Sequence, residues 1–215
     1  MTASSTTLVA GQIRPNRVTD PKILAAFEAV PRERFVPERL RAAAYVDEDI
    51  EVKPGRYLME PAVLARLIDL ARVGSGDVVL DIGCATGYSS AVLSYIAPVV
   101  VAIEEDAELA KAAGENLQAL GIDNAPVMMA ALTEGYPRQG PYQVIVLNGA
   151  IEVIPEAILG QLDEKGRLVC VRTLNGGVGR GLVAEKTGGR IAFREVFDAA
   201  VPPLPGFQRP KGFAF

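Results

Sequence analysis

The sequence predicts a doubly wound α/β protein: a mostly parallel sheet, an antiparallel C-terminal hairpin edge and an N-terminal helical extension. Three observations predict it. Short apolar runs at residues 78–82, 99–103, 127–130, 143–147 and 167–172 read as buried parallel strands. Helix-like stretches at 88–96, 106–120 and 155–162 fall between them. Residues 181–186 and 190–196 then flank Thr187-Gly188-Gly189, a hairpin turn.

Taken in order, residues 1–10 are Ser/Thr-rich, lack Lys and Arg, and read as a frayed tail without the basic and apolar regions of a signal peptide. Residues 19–52 read as helical and charged. Thr19 or Asp20 caps a helix whose first position is Pro21, and Pro31 stops it. A second short helix is expected over 37–45, and the acidic DEDIEVKPG ends in a Pro54-Gly55 turn. From Pro61, the apolar residues Val63, Leu64, Leu67, Ile68 and Ala71 share one helix face. Gly74-Ser75-Gly76 then marks a change of pattern, and Gly121 stops the helix over 106–120. The division expected is 1–72 as extension and mouth of the site, and 73–215 as core, within one structural domain. The Pro-rich stretch 202–206 reads as extended, with Phe207, Phe213 and Phe215 as packing aromatics.

Composition excludes several chemistries. The 215 residues contain no histidine, so Ser-His-Asp and Cys-His hydrolases, His-ligated zinc and a His base are out. Two cysteines, Cys84 and Cys170, make no disulfide framework and fit a reducing cytoplasm. A net charge of −4 argues against a broad nucleic-acid surface. No apolar stretch reaches membrane-span length. Asp47, Glu48 and Asp49 lack the spacing of a metal loop and read as a solvated acidic segment; no metal is expected.

The chemistry is expected just after residues 78–82, where Asp81-Ile82-Gly83-Cys84-Ala85-Thr86-Gly87-Tyr88 takes the chain from strand through turn to helix. Gly83 permits a sharp turn and Gly87 a close approach. Free N–H groups at the helix start suit an anionic group. Glu104 ends the next apolar run, where an acid accepts both hydroxyls of a ribose. Ala85 replaces the middle glycine that lets a backbone touch pyrophosphate, which argues against dinucleotides, and no P-loop occurs. S-adenosylmethionine, with a carboxylate and no phosphate, suits this turn. Cys84 reads as a small packing residue, and the Gly-rich 176–181 as a connector.

LDIGCATGYSSAVLS followed by VVAIEED resembles the first two motifs of class I S-adenosylmethionine-dependent methyltransferases, which are Rossmann-like. More narrowly, the chain resembles the protein-L-isoaspartate O-methyltransferases. VPRERFVPE, AAYVDEDIEV, GRYLMEPAVLARLIDL, PYQVIVLNGAIEVIP and LDEKGRLVCVR stand in that family's order. The likeness spans residues 12–201.

The resemblance implies a carboxylate acceptor, such as an isoaspartyl residue in a damaged protein or peptide or a small carboxylate, with S-adenosylmethionine as cofactor. It implies no nucleic acid and no membrane, and leaves the oligomeric state open. It assigns cofactor contacts to Asp81, Gly83, Cys84, Ala85, Gly87, Tyr88, Glu104, Glu105 and Leu132. The family's GDG is Ala130-Ala131-Leu132 here, without the Asp that bonds the adenine, a loss of about 1 kcal/mol. The family's G-x-T-I-S-x-P is Gly55-Arg56-Tyr57-Leu58-Met59-Glu60-Pro61, so Met59 stands at the active-site Ser position. Arg56 and Tyr57 are the candidate substitutes for that Ser. A carboxylate acceptor is already ionised at neutral pH and needs no general base, which agrees with a chain without histidine. Two other readings stay open: a member that binds an adenosyl ligand or a partner without turnover, and a methyltransferase for a different small acceptor.

Overall fold

The structure is a computed structural model that describes residues 3–174 and 177–209. Phe213, Phe215 and Gly176 lie outside the described residues.

The N-terminal segment folds against the core. Helix α1 (Ala3–Leu8) runs into a π-helical turn, Val9–Ile13. This corrects the expectation of a frayed start. Leu8, Val9 and Ile13 are buried among the helices that follow, and three apolar anchors outweigh a Ser/Thr-rich composition. Helix α2 (Pro21–Ala29) begins as expected. Asp20 is its cap and accepts the Lys22 N–H at 2.8 Å. Two 3-10 turns follow, Arg32–Phe35 and Glu38–Ala43, the latter in place of the helix expected over 37–45.

Strands β1 (Ile50–Lys53) and β2 (Arg56–Leu58) then form a small antiparallel hairpin. The sequence reading placed helix and acidic loop here. The hairpin wins because Ile50, Arg56 and Leu58 alternate inward while Glu51 points to solvent. Gly55, at φ +74°, makes the turn. Helix α3 (Pro61–Ala71) buries the face its periodicity predicted.

The main sheet has seven strands in the order β5-β4-β3-β6-β7-β8-β9. They are β3 (Val78–Ile82), β4 (Val99–Glu104), β5 (Val127–Met129), β6 (Tyr142–Ile151), β7 (Leu162–Arg172), β8 (Gly179–Thr187) and β9 (Arg190–Ala199). The first five run parallel, and β8 and β9 close one edge antiparallel. Helices α4 (Tyr88–Ser94) and α5 (Ala107–Ala119) connect the parallel strands. The helix expected over 155–162 shortens to α6 (Glu156–Leu159). Gly160 closes it, its N–H donating to Glu156 O at 2.8 Å, and Leu162 already belongs to β7.

Both sheet faces are covered. Val79, Val144, Val146, Val169 and Val183 meet α2, α3 and the N-terminal segment. Leu80, Ile82, Ile103, Ile145 and Leu147 meet α6, Leu204 and Phe207. Successive apolar residues of β6, β7 and β8 alternate between these two cores, as the two-residue period requires. β3 pairs with β4 on one side and β6 on the other. The order of connection reverses there, so a crevice is expected beyond the carboxyl ends of these strands.

Candidate functional site

At that crevice, Gly83 (φ +75°) and Gly87 (φ +95°) turn the chain from β3 into α4. A Cβ on Gly87 would stand 3.2 Å from Ala113, so α5 packs where only glycine fits. Ala85 between them holds φ +50°, a left-handed conformation that costs a residue with a Cβ about 1 kcal/mol. Asp81 is fully buried beneath the turn. Its Oδ2 accepts Ser89 Oγ (2.7 Å) and Ser90 Oγ (2.5 Å), and its Oδ1 accepts Asn148 Nδ2 (2.6 Å). Burial raises its pKa, opposed by those three hydrogen bonds.

The turn's own donors are spent inside the protein. The Gly83 and Cys84 N–H groups donate to Ile103 O, and Gly87 N–H to Cys84 O. The Ala85 N–H donates to Glu104 Oε2 at 2.9 Å. The donors of these four turn residues are thus engaged, and any N–H offered to an anionic group would come from the first turn of α4, which starts at Tyr88.

Glu104, at the end of β4, is likewise fully buried. Its Oε1 accepts the N–H groups of Glu105 (2.9 Å) and Asp106 (3.1 Å). The Arg56 guanidinium forks onto the same carboxylate, Nη1 to Oε1 and Nη2 to Oε2, each 2.5 Å. Arg56 is itself buried. The hairpin has thus carried a cation across 48 residues of sequence into the bend between β3 and β4.

Arg56, expected as a candidate substitute for the family Ser, is placed against Glu104. Its donors lie on Glu104 and do not face an acceptor. Tyr57, the other candidate, borders the small cavities beside Met59, and its hydroxyl donates to Glu51 Oε1 at 3.1 Å. Met59 is buried, and its carbonyl accepts Arg32 Nη2 at 3.0 Å. Arg32 also donates to Ala44 O and lies 4.7 Å from the centre of the Tyr88 ring. Tyr88 is walled in by Arg32, Phe27 and Phe35, and burial pushes its phenol up to about 12. Cys84 is buried too, and its thiol pKa is raised well above the usual value, so the thiol is not activated. Leu132 belongs to the second core, and its N–H reaches the exposed Glu105 at 3.5 Å.

The Pro-rich tail completes the closure. Leu204 N–H donates to Ala150 O, and Ala150 N–H to Pro202 O, each 2.8 Å. Residues 202–204 thereby pair with the last residues of β6, on the side where β3 has already ended, with Pro203 bridged in parallel to Ala150. Leu204 Cδ1 lies 2.8 Å from where a Cβ on Gly83 would stand, and Leu204 Cβ 2.9 Å from the same point on Gly149. Two small cavities remain here. One borders Arg56, Met59, Asn148 and Leu204, the other Met59, Gly83, Cys84 and Tyr88; each is about 10 Å³, room for about one water. A larger cavity, about 340 Å³, is bordered by Phe35, Val52, Lys53, Glu108 and Thr86 of the same turn.

Comparison with known proteins now bears on this architecture. The family model for protein-L-isoaspartate(D-aspartate) O-methyltransferase (PCMT) matches residues 3–188. The chain belongs to this family. A protein-L-isoaspartate O-methyltransferase of Methanoculleus marisnigri is 36% identical over 162 residues, 75% of this chain and 74% of its own. That of Koribacter versatilis is 34% identical over 197 residues, 92% of this chain and 88% of its own. A Plasmodium falciparum structure described as a PCMT, in complex with S-adenosyl-L-homocysteine, shares the fold. It superposes with a TM-score of 0.78 at 18% identity, over 93% of this chain and 97% of its own. The PCMT family is one of S-adenosylmethionine-dependent methyltransferases.

That cofactor would meet a bend which this chain's own side chains partly fill. A ligand of its size needs several hundred Å³; the two cavities that border Met59 offer about 10 Å³ each, and the one that borders Thr86 of the turn about 340 Å³. The acid that would receive a ribose is engaged by Arg56, and the glycine that would admit a ligand is in contact with Leu204. Two of the groups responsible, Leu204 and the Arg56 fork, were not visible as such in the sequence. The only trace of the latter was an arginine directly after Gly55.

Proposed function

We propose that this PCMT-family chain is a carboxyl O-methyltransferase that uses S-adenosylmethionine. Its acceptor would be an isoaspartyl residue in a damaged protein or peptide, or a small carboxylate. The observation that carries the reading is Glu104: an acid at the end of β4, beside the Gly83–Gly87 turn, in a chain matched to the family over residues 3–188. Asp81 supports the turn, and Gly83, Cys84, Ala85, Gly87, Glu105 and Leu132 border the same bend. Residues 1–72 would form the mouth and 73–215 the core, the first supplying Arg56 and Met59 and the second Glu104. No helix among the described residues is long and apolar enough to cross a membrane, which is compatible with the cytoplasmic setting we assign.

A second reading is favoured by a specific pair of observations: Met59 at the Ser position and a closed bend. In it the protein descends from the enzyme and no longer turns over. Two measurements separate the readings. Calorimetry with S-adenosyl-L-homocysteine is expected to give saturable binding if the first holds. Transfer of labelled methyl from S-adenosylmethionine to an isoaspartyl peptide then tests turnover. Binding with no transfer in either the native chain or Met59→Ser supports the second reading. Transfer gained by Met59→Ser alone would place the missing contact at that side chain.

A further inference from the structure

A ribose diol offers two neutral O–H donors to a carboxylate. Arg56 offers Glu104 two charged N–H donors, one on each oxygen, at 2.5 Å. Bidentate, charge-assisted pairs of this kind are roughly twice as strong as neutral hydrogen bonds. The guanidinium is therefore a better partner for this acid than the diol it would have to make way for.

Its position is also well anchored. β2 pairs with β1, Leu58 is buried, and Lys53 on β1 reaches Asp106 (2.6 Å) and Glu108 (2.7 Å) at the start of α5. The cavity beside Arg56 has room for about one water, so a displaced side chain must leave toward solvent. On the other side of the turn, Leu204 already uses the close approach that Gly83 permits.

We propose that Arg56 is an internal occupant of the adenosyl cup: cofactor binding and the Arg56–Glu104 pair exclude each other, so Arg56 sets cofactor affinity in this chain. The inference rests on the reading of Glu104 as the ribose-facing acid. It makes Arg56 a specificity determinant outside the Gly turn, contributed by a hairpin that precedes the core in sequence.

The test is calorimetric titration of S-adenosyl-L-homocysteine into the full chain and its variants. Arg56→Ala is expected to bind at least tenfold more tightly than the native chain, because the native affinity is reduced by the small fraction of molecules with the cup open. Arg56→Lys, which keeps one charged donor, is expected to fall between the two. Should Arg56→Ala lose its fold, Arg56→Gln removes the charge with less loss of volume and is read in its place. A native chain that binds tightly, with Arg56→Ala within twofold of it, overturns the inference and leaves the methyltransferase reading intact. Binding seen only in Arg56→Ala/Leu204→Ala assigns the closure to the strap and also overturns it. No binding in the native chain, in Arg56→Ala or in that double variant overturns the inference and the cofactor reading together.

Discussion

Asp81 on β3 and Glu104 on β4 are both fully buried acids on neighbouring strands, yet they are satisfied in opposite ways. Asp81 takes three neutral side-chain donors, all from the core: two serines of α4 and Asn148 of β6. Glu104 takes a cation from outside the core, together with three backbone N–H groups. The first arrangement braces a turn and offers nothing to exchange. In the second, the partner belongs to a separate hairpin, so it is replaceable. The lesson is that an acid in the right place is not by itself a ligand site; what already holds it decides.

The strongest way to break the comparison is Glu104→Ala. It strands the Arg56 guanidinium in a buried setting, and removing one partner of such a pair costs about 3–5 kcal/mol. Urea unfolding is expected to show a loss of that size; a loss below about 1 kcal/mol would mean the pair is solvated and the contrast with Asp81 is unfounded. Asp81→Asn comes next. Its partners are neutral and the hydroxyls can reverse their roles, so about 1–2 kcal/mol is expected in the same assay. A cost equal to that of Glu104→Ala would show that charge is not what separates the two acids.

Ala85→Gly sharpens the comparison at the turn that joins them. It relieves the left-handed strain at φ +50° and gives back part of the gain as chain entropy. A net stabilisation of about 0.5–1 kcal/mol is expected, and no gain would mean the strain is absorbed elsewhere.

The last effect is expected at the mouth, where Glu60 is half-exposed and solvent screens much of it. Burial raises Glu60 from 4.5 to about 7. A carboxyl with a raised folded-state pKa binds its proton more tightly when folded. Its contribution to stability therefore falls as pH rises from about 4.5 to about 7 and stays low above that. Glu60→Gln removes this dependence. The variant is expected to melt above the native chain at about pH 8, with the difference shrinking toward pH 4. A difference that is constant with pH would place Glu60 in solvent.

The sheet, its closing hairpin and the Gly83–Gly87 turn were legible because their signals are local: apolar runs, turn residues, a two-residue period. The acid at 104 was legible by its place after a strand. Four features were not. The α1 segment is polar by composition and is held by apolar anchors, among them Leu8, Val9 and Ile13, that no run of apolar residues announces. The β1–β2 hairpin hides in an acidic stretch, where one face of alternating residues is too short to register as a strand. The Arg56–Glu104 pair and the Leu204 contact with Gly83 join segments far apart in sequence, and no periodicity or spacing encodes them. The residues of the cup were thus readable as a set, while their being occupied by the chain itself was not.

One consequence follows from the two grips that hold the small hairpin. Lys53 meets Asp106 and Glu108 at the surface, where dissolved ions screen attraction over about 10 Å at 0.1 M salt. Arg56 meets Glu104 below the surface, beyond their reach. Concentrated salt should therefore slip the outer latch and leave the inner bolt drawn, so ionic strength alone will not unlock this protein.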